Sequence, residues 1–407
     1  MRFLHTSDWH LGQKFIFKDR EEEHQLALDW LADLIKTEQV ECLLIAGDIF
    51  DIGNPPNYAR TMYFKFLAGL LQSPCRHVVI IGGNHDSPSM LDAPKTLLEV
   101  LNVHVIGSAT GNLEDERIRL HNEKGALEAV IGAVPFLRDR DIRSSLPGES
   151  GEERIRRIRE GIVQHYAEIG ELVAQVGDGK IPRIAMGHLY AAGSIASDKQ
   201  DNIYLGDTAN IKAEAFPALF DYVALGHIHR AQKIGEARHI RYSGSIIPLS
   251  FSETKDEKVV TIFDFEKDEL KDLREVPVPV TRRLKTIEGD LAAVEEKLEQ
   301  FKVRHQDDPL TPWVEVILQE KQPKPNIHSY LSTFCSEIGL ELLKLRLLRE
   351  KQDRGKASMA VDLDELTPEE VFLQKCKEDG YSKPQIAALQ MTFKELLDWT
   401  QNQEEQS

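Results

Sequence analysis

His77-Val78-Val79-Ile80-Ile81-Gly82-Gly83-Asn84-His85-Asp86 is the stretch that decides the fold. A short run of β-branched residues with no polar break reads as a strand buried on both faces. The two glycines end it, and an amide, an imidazole and a carboxylate follow. The pattern recurs four times. Met1–Thr6 leads to Ser7-Asp8-Trp9-His10, and Cys42–Ala46 ends in Gly47-Asp48. Ile184-Ala185-Met186 precedes Gly187-His188, and Tyr222–Leu225 precedes Gly226-His227-Ile228-His229. Buried strands alternating with helical segments predict a layered α/β domain. In such sheets ligands bind at the carboxyl ends of the strands, where these polar groups sit. The repeated glycine lets the backbone turn sharply and come close to a metal or a phosphate.

Seven of these residues are potential metal ligands: Asp8, His10, Asp48, Asn84, His188, His227 and His229. Carboxylate, amide oxygen and imidazole together suit two hard-to-borderline divalent cations and point to phosphate-ester hydrolysis. Asp48 stands alone between the other groups and is the natural bridge. Asp8 and His10 are expected on the same side of an extended loop. One cation would then take Asp8, His10, Asp48 and His229, and the other Asp48, Asn84, His188 and His227. His85 is not needed as a ligand. It is the candidate general acid for the leaving oxygen, because histidine titrates nearest neutral pH. Asp51, three residues past the bridge, could orient His85 or a ligand.

A single Gly-Asp or a single histidine is usually structural. Five groups in this order, each after a strand, are not explained that way. His24, His77, His104, His121, His165, His239, His305 and His328 fall outside the pattern and read as surface or core residues. His5, inside the first strand, reads as core. Trp9 reads as a wall of the pocket without a chemical role.

The chain has 407 residues, enough for two or three domains, and a net charge of −17. Such a balance argues against nucleic acid as a partner, but only weakly, since DNA affinity comes from local Lys and Arg facing phosphates. Lys14, Lys18, Arg20, Arg60 and Arg230 are candidates for that, with solvated surface charge as the plainer reading. Cys42, Cys75, Cys335 and Cys376 are scattered, which suggests neither a zinc cage nor a disulfide framework. No apolar stretch approaches the ~20 residues that span a bilayer, and no leader is evident, so the cytoplasm is the expected location.

Residues 1–280 carry the α/β alternation. Gln25–Lys36 puts Leu26, Trp30, Leu31, Leu34 and Ile35 on one helical face. Residues 153–176 form a long amphipathic helix through Ile155, Ile158, Ile162, Tyr166, Ile169, Val173 and Val176. Pro277, Pro279 and Thr281 mark a change of texture. Residues 281–350 then read as a small α+β module with strands at Trp313–Leu318 and 343–347 and a helix at Ile327–Ile338. Residues 351–407 read as a linker and a helical hairpin. Thr367-Pro368-Glu369-Glu370 and Ser382-x-x-Gln385 offer caps, and Ile386, Leu389, Phe393, Leu396 and Leu397 form an apolar stripe. Two short helices bury such a stripe poorly alone, so it docks on its own domain or on a partner.

The five groups together resemble the calcineurin-like metallophosphoesterases. The stretches His5–Gly12, Ala46–Asp51 with Pro55-Pro56, Gly83–Ser87, Ala224–Gln232 and Tyr242–Phe251 resemble the bacterial SbcD family of Mre-type DNA repair nucleases within them. That resemblance implies a four-layer α/β/β/α sandwich with a small capping domain and C-terminal helices. It implies two Mn2+ ions, a 3′→5′ double-strand exonuclease and a single-strand and hairpin endonuclease. It also implies an SbcC-type ABC ATPase with a coiled coil as partner, in a 2:2 assembly. No Walker A pattern occurs here, so any ATP dependence would come from that partner. Relatives from archaea and eukaryotes carry a second histidine where this chain has Asp51, which puts a two-histidine mechanism in doubt. Three rivals are weighed. A Ser/Thr phosphatase usually has an Arg soon after Gly-Asp, and none occurs here before Arg60. A small-molecule phosphodiesterase would not need residues 282–401. A scaffold without activity would be expected to lose ligands.

Overall fold

A computed structural model describes residues 1–142, 149–177, 180–191, 211–266, 269–319 and 326–348, together with Phe372, Cys376, Leu389 and Phe393. The chain forms two compact units, Met1–Arg349 and Glu350–Ser407. In the second, the rings of Phe372 and Phe393 stack at 4.1 Å and Cys376 is buried. The caps expected at 367–370 and 382–385 lie outside the described residues, as does the rest of the stripe around Leu389 and Phe393.

Two six-stranded sheets face each other in the first unit. In one, Arg2–Thr6, Cys42–Ala46, His77–Ile81 and Val103–Ile106 run parallel, and the antiparallel pair Val259–Glu266 and Glu269–Pro277 closes the other side. The second has Leu127–Ala133, Arg183–His188, Tyr222–Gly226 and Ala237–Tyr242 parallel, with Arg117–His121 and Gln232–Ile234 antiparallel at its edges. Cys42–Ala46, His77–Ile81 and Tyr222–Gly226 are buried at every residue, as their unbroken apolar runs predict. The reason is the layering. Leu44, Ala46, Val79, Ile81, Met186 and Ala224 fill the space between the sheets, with Phe3, Phe263 and Tyr222 stacked among them. The alternate residues face helices on the outside. Each fully buried Leu, Val, Ile, Met or Phe among them contributes roughly 1.5–3 kcal/mol.

Helices cover both outer faces and complete four layers, in agreement with the expected sandwich. The helix Glu21–Thr37 buries Ala27, Leu28, Leu31 and Ile35. The expected face is therefore rotated: Leu26 is exposed, and Trp30 and Leu34 pack only at the edge. The sequence pattern overweighted the large residues, whereas the close contact is made by small Ala27. Gly151–Ala174 is the long helix, started by a Ser150/Glu153 capping box, and it buries Ile158, Ile162, Tyr166, Ile169 and Val173. Ile155 and Val176 lie at the frayed margins of that stripe.

Residues 284–347 add a three-stranded parallel sheet, Leu284–Gly289, Trp313–Leu318 and Glu341–Leu347, crossed over by helices Leu291–Arg304 and Ile327–Glu337. One sheet face packs on those helices through Ile287, Val294, Leu298, Val314, Val316 and Leu331. Trp313 stacks on Phe15 at 5.6 Å, and Arg282 lies over the indole at 4.2 Å, which joins this layer to the sandwich. Among the described residues, no helix is long and apolar enough to cross a membrane.

Candidate metal centre

The parallel strands of both sheets deliver their carboxyl ends to one edge of the sandwich. His188 ends its strand beside Gly226 in the neighbouring one, and Ala46 lies in register with Ile81. Asp8, His10, Asp48, Asn84, His85, His188, His227 and His229 are therefore neighbours, although they span 222 positions of sequence from first to last (229 − 8 + 1).

The loop after the first strand is not extended. Asp8, His10 and Asp48 take left-handed backbone with φ of 51°, 47° and 50°. Each such residue costs about 1–2 kcal/mol, and non-glycine examples gather at functional sites. Here the loops brace one another. Asp8 N–H donates to Gly47 O, His10 N–H to Asp48 O and Leu11 N–H to Ile49 O at 2.9–3.0 Å. Asp86 ties them further, accepting from the N–H groups of Ile49, Phe50 and Gly83. Burial and nearby Asp48 push its acid up to about 6. The glycines serve this loop packing. A Cβ on Gly83 would overlap Asp48, and one on Gly226 would overlap the carbonyl oxygen of Ala46.

Three trios of potential ligand atoms converge, each within 4.8 Å: Asp8, His10 and His229; Asp48, His188 and His227; and, on the solvent side and sharing His10 with the first, His10, Asp51 and His85. Asn84 Oδ1 lies 3.0 Å from both His188 Nε2 and His227 Nδ1. Asp48 Oδ2 joins the first two trios, 3.5 Å from His10 Nε2 and 3.3 Å from His188 Nε2. The far ring nitrogens are held. His188 Nδ1 donates to Ala46 O at 2.9 Å, His10 Nδ1 faces Asp51 Oδ1 at 3.0 Å, and His229 Nδ1 faces Glu253 Oε1 at 3.2 Å. Each ring therefore presents Nε2 to the centre.

This arrangement fits divalent cations. His10 Nε2 is buried and makes no hydrogen bond. His188 Nε2 faces two acceptor oxygens, so it must carry a proton or share a cation with them. Burial pushes the His10 ring down, but the Asp51 hydrogen bond and Asp48 outweigh it and raise it to about 9. Asp48 raises His188 to about 9 against the same burial penalty. His227 goes the other way, to about 3, because burial and His188 disfavour its charge. Asp48 itself is held far below the carboxylate range by His188 and His10 despite its burial. So negative a pocket is suited to hold positive charge.

His85 stands on the solvent side with its ring 4.8 Å from that of His10. Its Nδ1 donates to the Asp51 carbonyl oxygen at 2.7 Å, and its N–H donates to Asp48 Oδ1 at 2.9 Å. Asp51 thus touches both His10, through its carboxylate, and His85, through its main chain.

The cleft around these groups has a volume of about 770 Å³. Lys14, Phe15 and Ile16 line one side, and Thr286, Glu315, Ile317, Lys344 and Arg346 of the parallel three-stranded sheet line another. Those last five were missed in the sequence, because nothing local marks a strand 300 residues away as facing the site. Glu253 and Lys258 were missed for the same reason. Other expectations need correction. Trp9 does not wall the cleft: it is buried in the apolar core against Phe66, with Nε1 on Thr6. Arg20 is no surface cation, being buried with bonds to Glu23, Gln13 and Pro248 O. Lys18 pairs with Glu341 and Arg230 with Asp256, while Arg60 sits on a separate depression beside Asn57. His5 is core, as read, held by Tyr222 and Leu225 O.

Comparison with known proteins gives the family. Residues 1–231 match the calcineurin-like phosphoesterase family, and residues 280–379 match the family described as type 5 capsule protein repressor C-terminal domain. The SbcD component of the nuclease SbcCD from Escherichia coli strain K12 is 39% identical over 98% of this chain and 98% of its own. That of Rhodobacter capsulatus is 32% identical over 91% and 93%. Among solved structures, a dimetal phosphatase from Danio rerio aligns with a TM-score of 0.39 at 13% identity, over 68% of this chain and 98% of that one.

Proposed function

This chain belongs to the SbcD family of the calcineurin-like phosphoesterases, and from that membership we propose that it is the metal-dependent nuclease component of an SbcCD-type complex, cleaving phosphodiester bonds of DNA. The observation that carries the reading is the convergence of two ligand trios on Asp48, with His85 fixed at their solvent side.

Asp8, His10, Asp48 and His229 would hold one divalent cation, and Asp48, Asn84, His188 and His227 the other. Mn2+ is the ion proposed. When bound, such a pair supplies Lewis-acid stabilisation at phosphorus and lowers the pKa of an attacking water. The protein's own groups do the rest. A main-chain oxygen can only accept, so the Asp51 carbonyl fixes the proton of His85 on Nδ1. As general acid, His85 would start as the imidazolium, give its Nε2 proton to the leaving oxygen and be left neutral with the Nδ1 proton still on the Asp51 carbonyl. Asp51 acts as a positioning residue for His85 and His10 together. Arg346 lies on the cleft rim with Lys14 and Lys344, which pair with Asp19 and Glu315, and it is local positive charge of this kind rather than the net charge of −17 that would meet phosphates.

The proposed division of labour is a nuclease domain at 1–280, a capping domain at 281–350 that shapes the DNA surface, and a C-terminal region at 351–407 that binds an SbcC-type ATPase. A 2:2 assembly in the cytoplasm, with ATP-dependent 3′→5′ exonuclease and hairpin endonuclease activity, completes the reading. It serves DNA repair, replication and recombination.

The test is cleavage of labelled hairpin and linear duplex DNA with Mn2+, with and without the ATPase partner. Cutting that both His85→Gln and Asp48→Ala abolish supports the reading. Hydrolysis of a small phosphodiester with DNA left intact, partner and ATP included, would replace it with a small-molecule phosphodiesterase.

A further inference from the structure

We propose that Glu253, held by Lys258, is a positioning residue that sets the ring of His229 and thereby the cation affinity of the half-site formed by Asp8, His10 and His229, a proposal that rests on the metal reading above.

The segment after strand Ala237–Tyr242 supplies no ligand, yet it wraps the site. Ser243 Oγ lies 2.9 Å from Ser7 Oγ, which in turn donates to Asp8 Oδ2 at 2.5 Å. The turn Phe251–Glu253 then buries Glu253, which is 1% exposed. Its carboxylate meets four donors. His229 Nδ1 and Ser250 Oγ reach Oε1 at 3.2 and 3.3 Å. Lys258 Nζ and Leu249 N–H reach Oε2 at 2.6 and 3.1 Å, while the Ser245 hydroxyl donates to Ile247 O at 2.9 Å.

Lys258 is equally committed. Its three protons go to Glu253 Oε2, to Ser245 Oγ at 2.8 Å and to the main-chain oxygen of His229 at 2.9 Å. The pair therefore grips residue 229 twice, through the ring by Glu253 and through the backbone by Lys258. A buried ion pair is weak evidence for stability, because apolar residues of similar volume often do as well. One whose every proton is directed at a single ligand residue and its supports is explained by specificity of position.

A carboxylate oxygen can only accept. Glu253 therefore keeps the His229 proton on Nδ1 and leaves Nε2 as the lone pair turned toward Asp8 and His10. Carboxylate backing of this kind also raises ligand basicity, and its loss typically costs about 10–100-fold in metal affinity. The other half-site is independent of it, since His188 takes its orientation from Ala46 O.

The experiment is Mn2+ titration of the full chain by calorimetry, with electron paramagnetic resonance to separate a coupled ion pair from a single ion. Glu253→Gln keeps the size and an acceptor but removes the charge. It leaves Lys258 buried without a counter-charge, so Glu253→Gln/Lys258→Met is measured beside it, each with a melting curve. The expected result in a folded variant is one Mn2+ bound as in the parent and the second weakened about 10–100-fold. An isolated-ion signal should then appear where the parent shows a coupled pair. Two ions bound with parental affinity, or both weakened equally, would overturn the proposal. If the parent chain takes up no Mn2+, the metal reading falls and this inference with it.

Discussion

His10 and His229 are oriented by the carboxylates of Asp51 and Glu253, whereas His188 is oriented by the main-chain oxygen of Ala46 in the middle of the sandwich. The first half of the site reaches solvent only through Asp51 and His229, at 25% and 15% side-chain exposure, since Asp8 and His10 are buried as His188 is. Glycines close the second half: Gly47 and Gly226 both face the His188 ring, and neither has room for a side chain. One half is thus built from side chains that can be exchanged singly. The other is built from backbone that cannot change without moving the two sheets apart.

Asp48 belongs to both halves, so its removal should have the largest effect. Asp48→Ala is expected to bind neither cation and to cut DNA at background rate. Calorimetry that still finds one tightly bound ion would mean that the halves are not bridged. Next comes Gly226→Ala. The new methyl group meets the Ala46 carbonyl and the His188 ring, and overpacking of this kind costs about 1–3 kcal/mol or more. Urea unfolding should move to lower denaturant, and the inner ion should be lost before the outer. A wild-type midpoint would show that the backbone-built half is as forgiving as the other.

Asp51→Asn should be milder. It keeps an acceptor for His10 Nδ1 and leaves the carbonyl that holds His85 untouched, so outer-ion affinity should drop about 10-fold, at the low end of such effects. The melting temperature should barely move. A collapse of the fold would erase the distinction between the halves.

The smallest effect on cation binding is expected at histidines outside the site, which serve as a control for those in it. Burial pushes His5 and His24 down to about 3. A ring with a depressed folded value stays neutral while the unfolded chain takes up a proton. Its stability contribution is therefore whole above pH ~6.5 and is lost as pH falls toward 3. By pH 5 each ring should cost roughly 2 kcal/mol. Stability measured from pH 7 to 5 should fall less steeply in His24→Gln than in the parent. Equal slopes would show that His24 is already charged in the folded protein.

The candidate ligand groups were legible because each follows a buried apolar run, and such runs can be read residue by residue. Cys42–Ala46 and Trp313–Leu318 match strands at the residues read from the pattern. Helical faces were less legible, as Leu26 shows, because a face is chosen by what it packs against and not by hydrophobicity alone. The left-handed backbone at Asp8 and His10 left no mark in the sequence, since neither is glycine. Nor did Arg20, whose charge suggests solvent but whose guanidinium is buried between Glu23 and Pro248.

The sequence by itself determined which atoms could hold cations and that they lie at strand ends, because ligand chemistry and strand burial are properties of short segments. Only the tertiary structure decided which nitrogen of His10, His188 and His229 faces the centre. That choice belongs to Asp51, Ala46 and Glu253, which lie 41, 142 and 24 positions from the rings they hold. The same is true of the cleft's far wall, where Thr286, Glu315 and Lys344 align only because three parallel strands pair in register. Partners of this kind are brought together by sheet packing, and no segment read alone contains both sides of the contact.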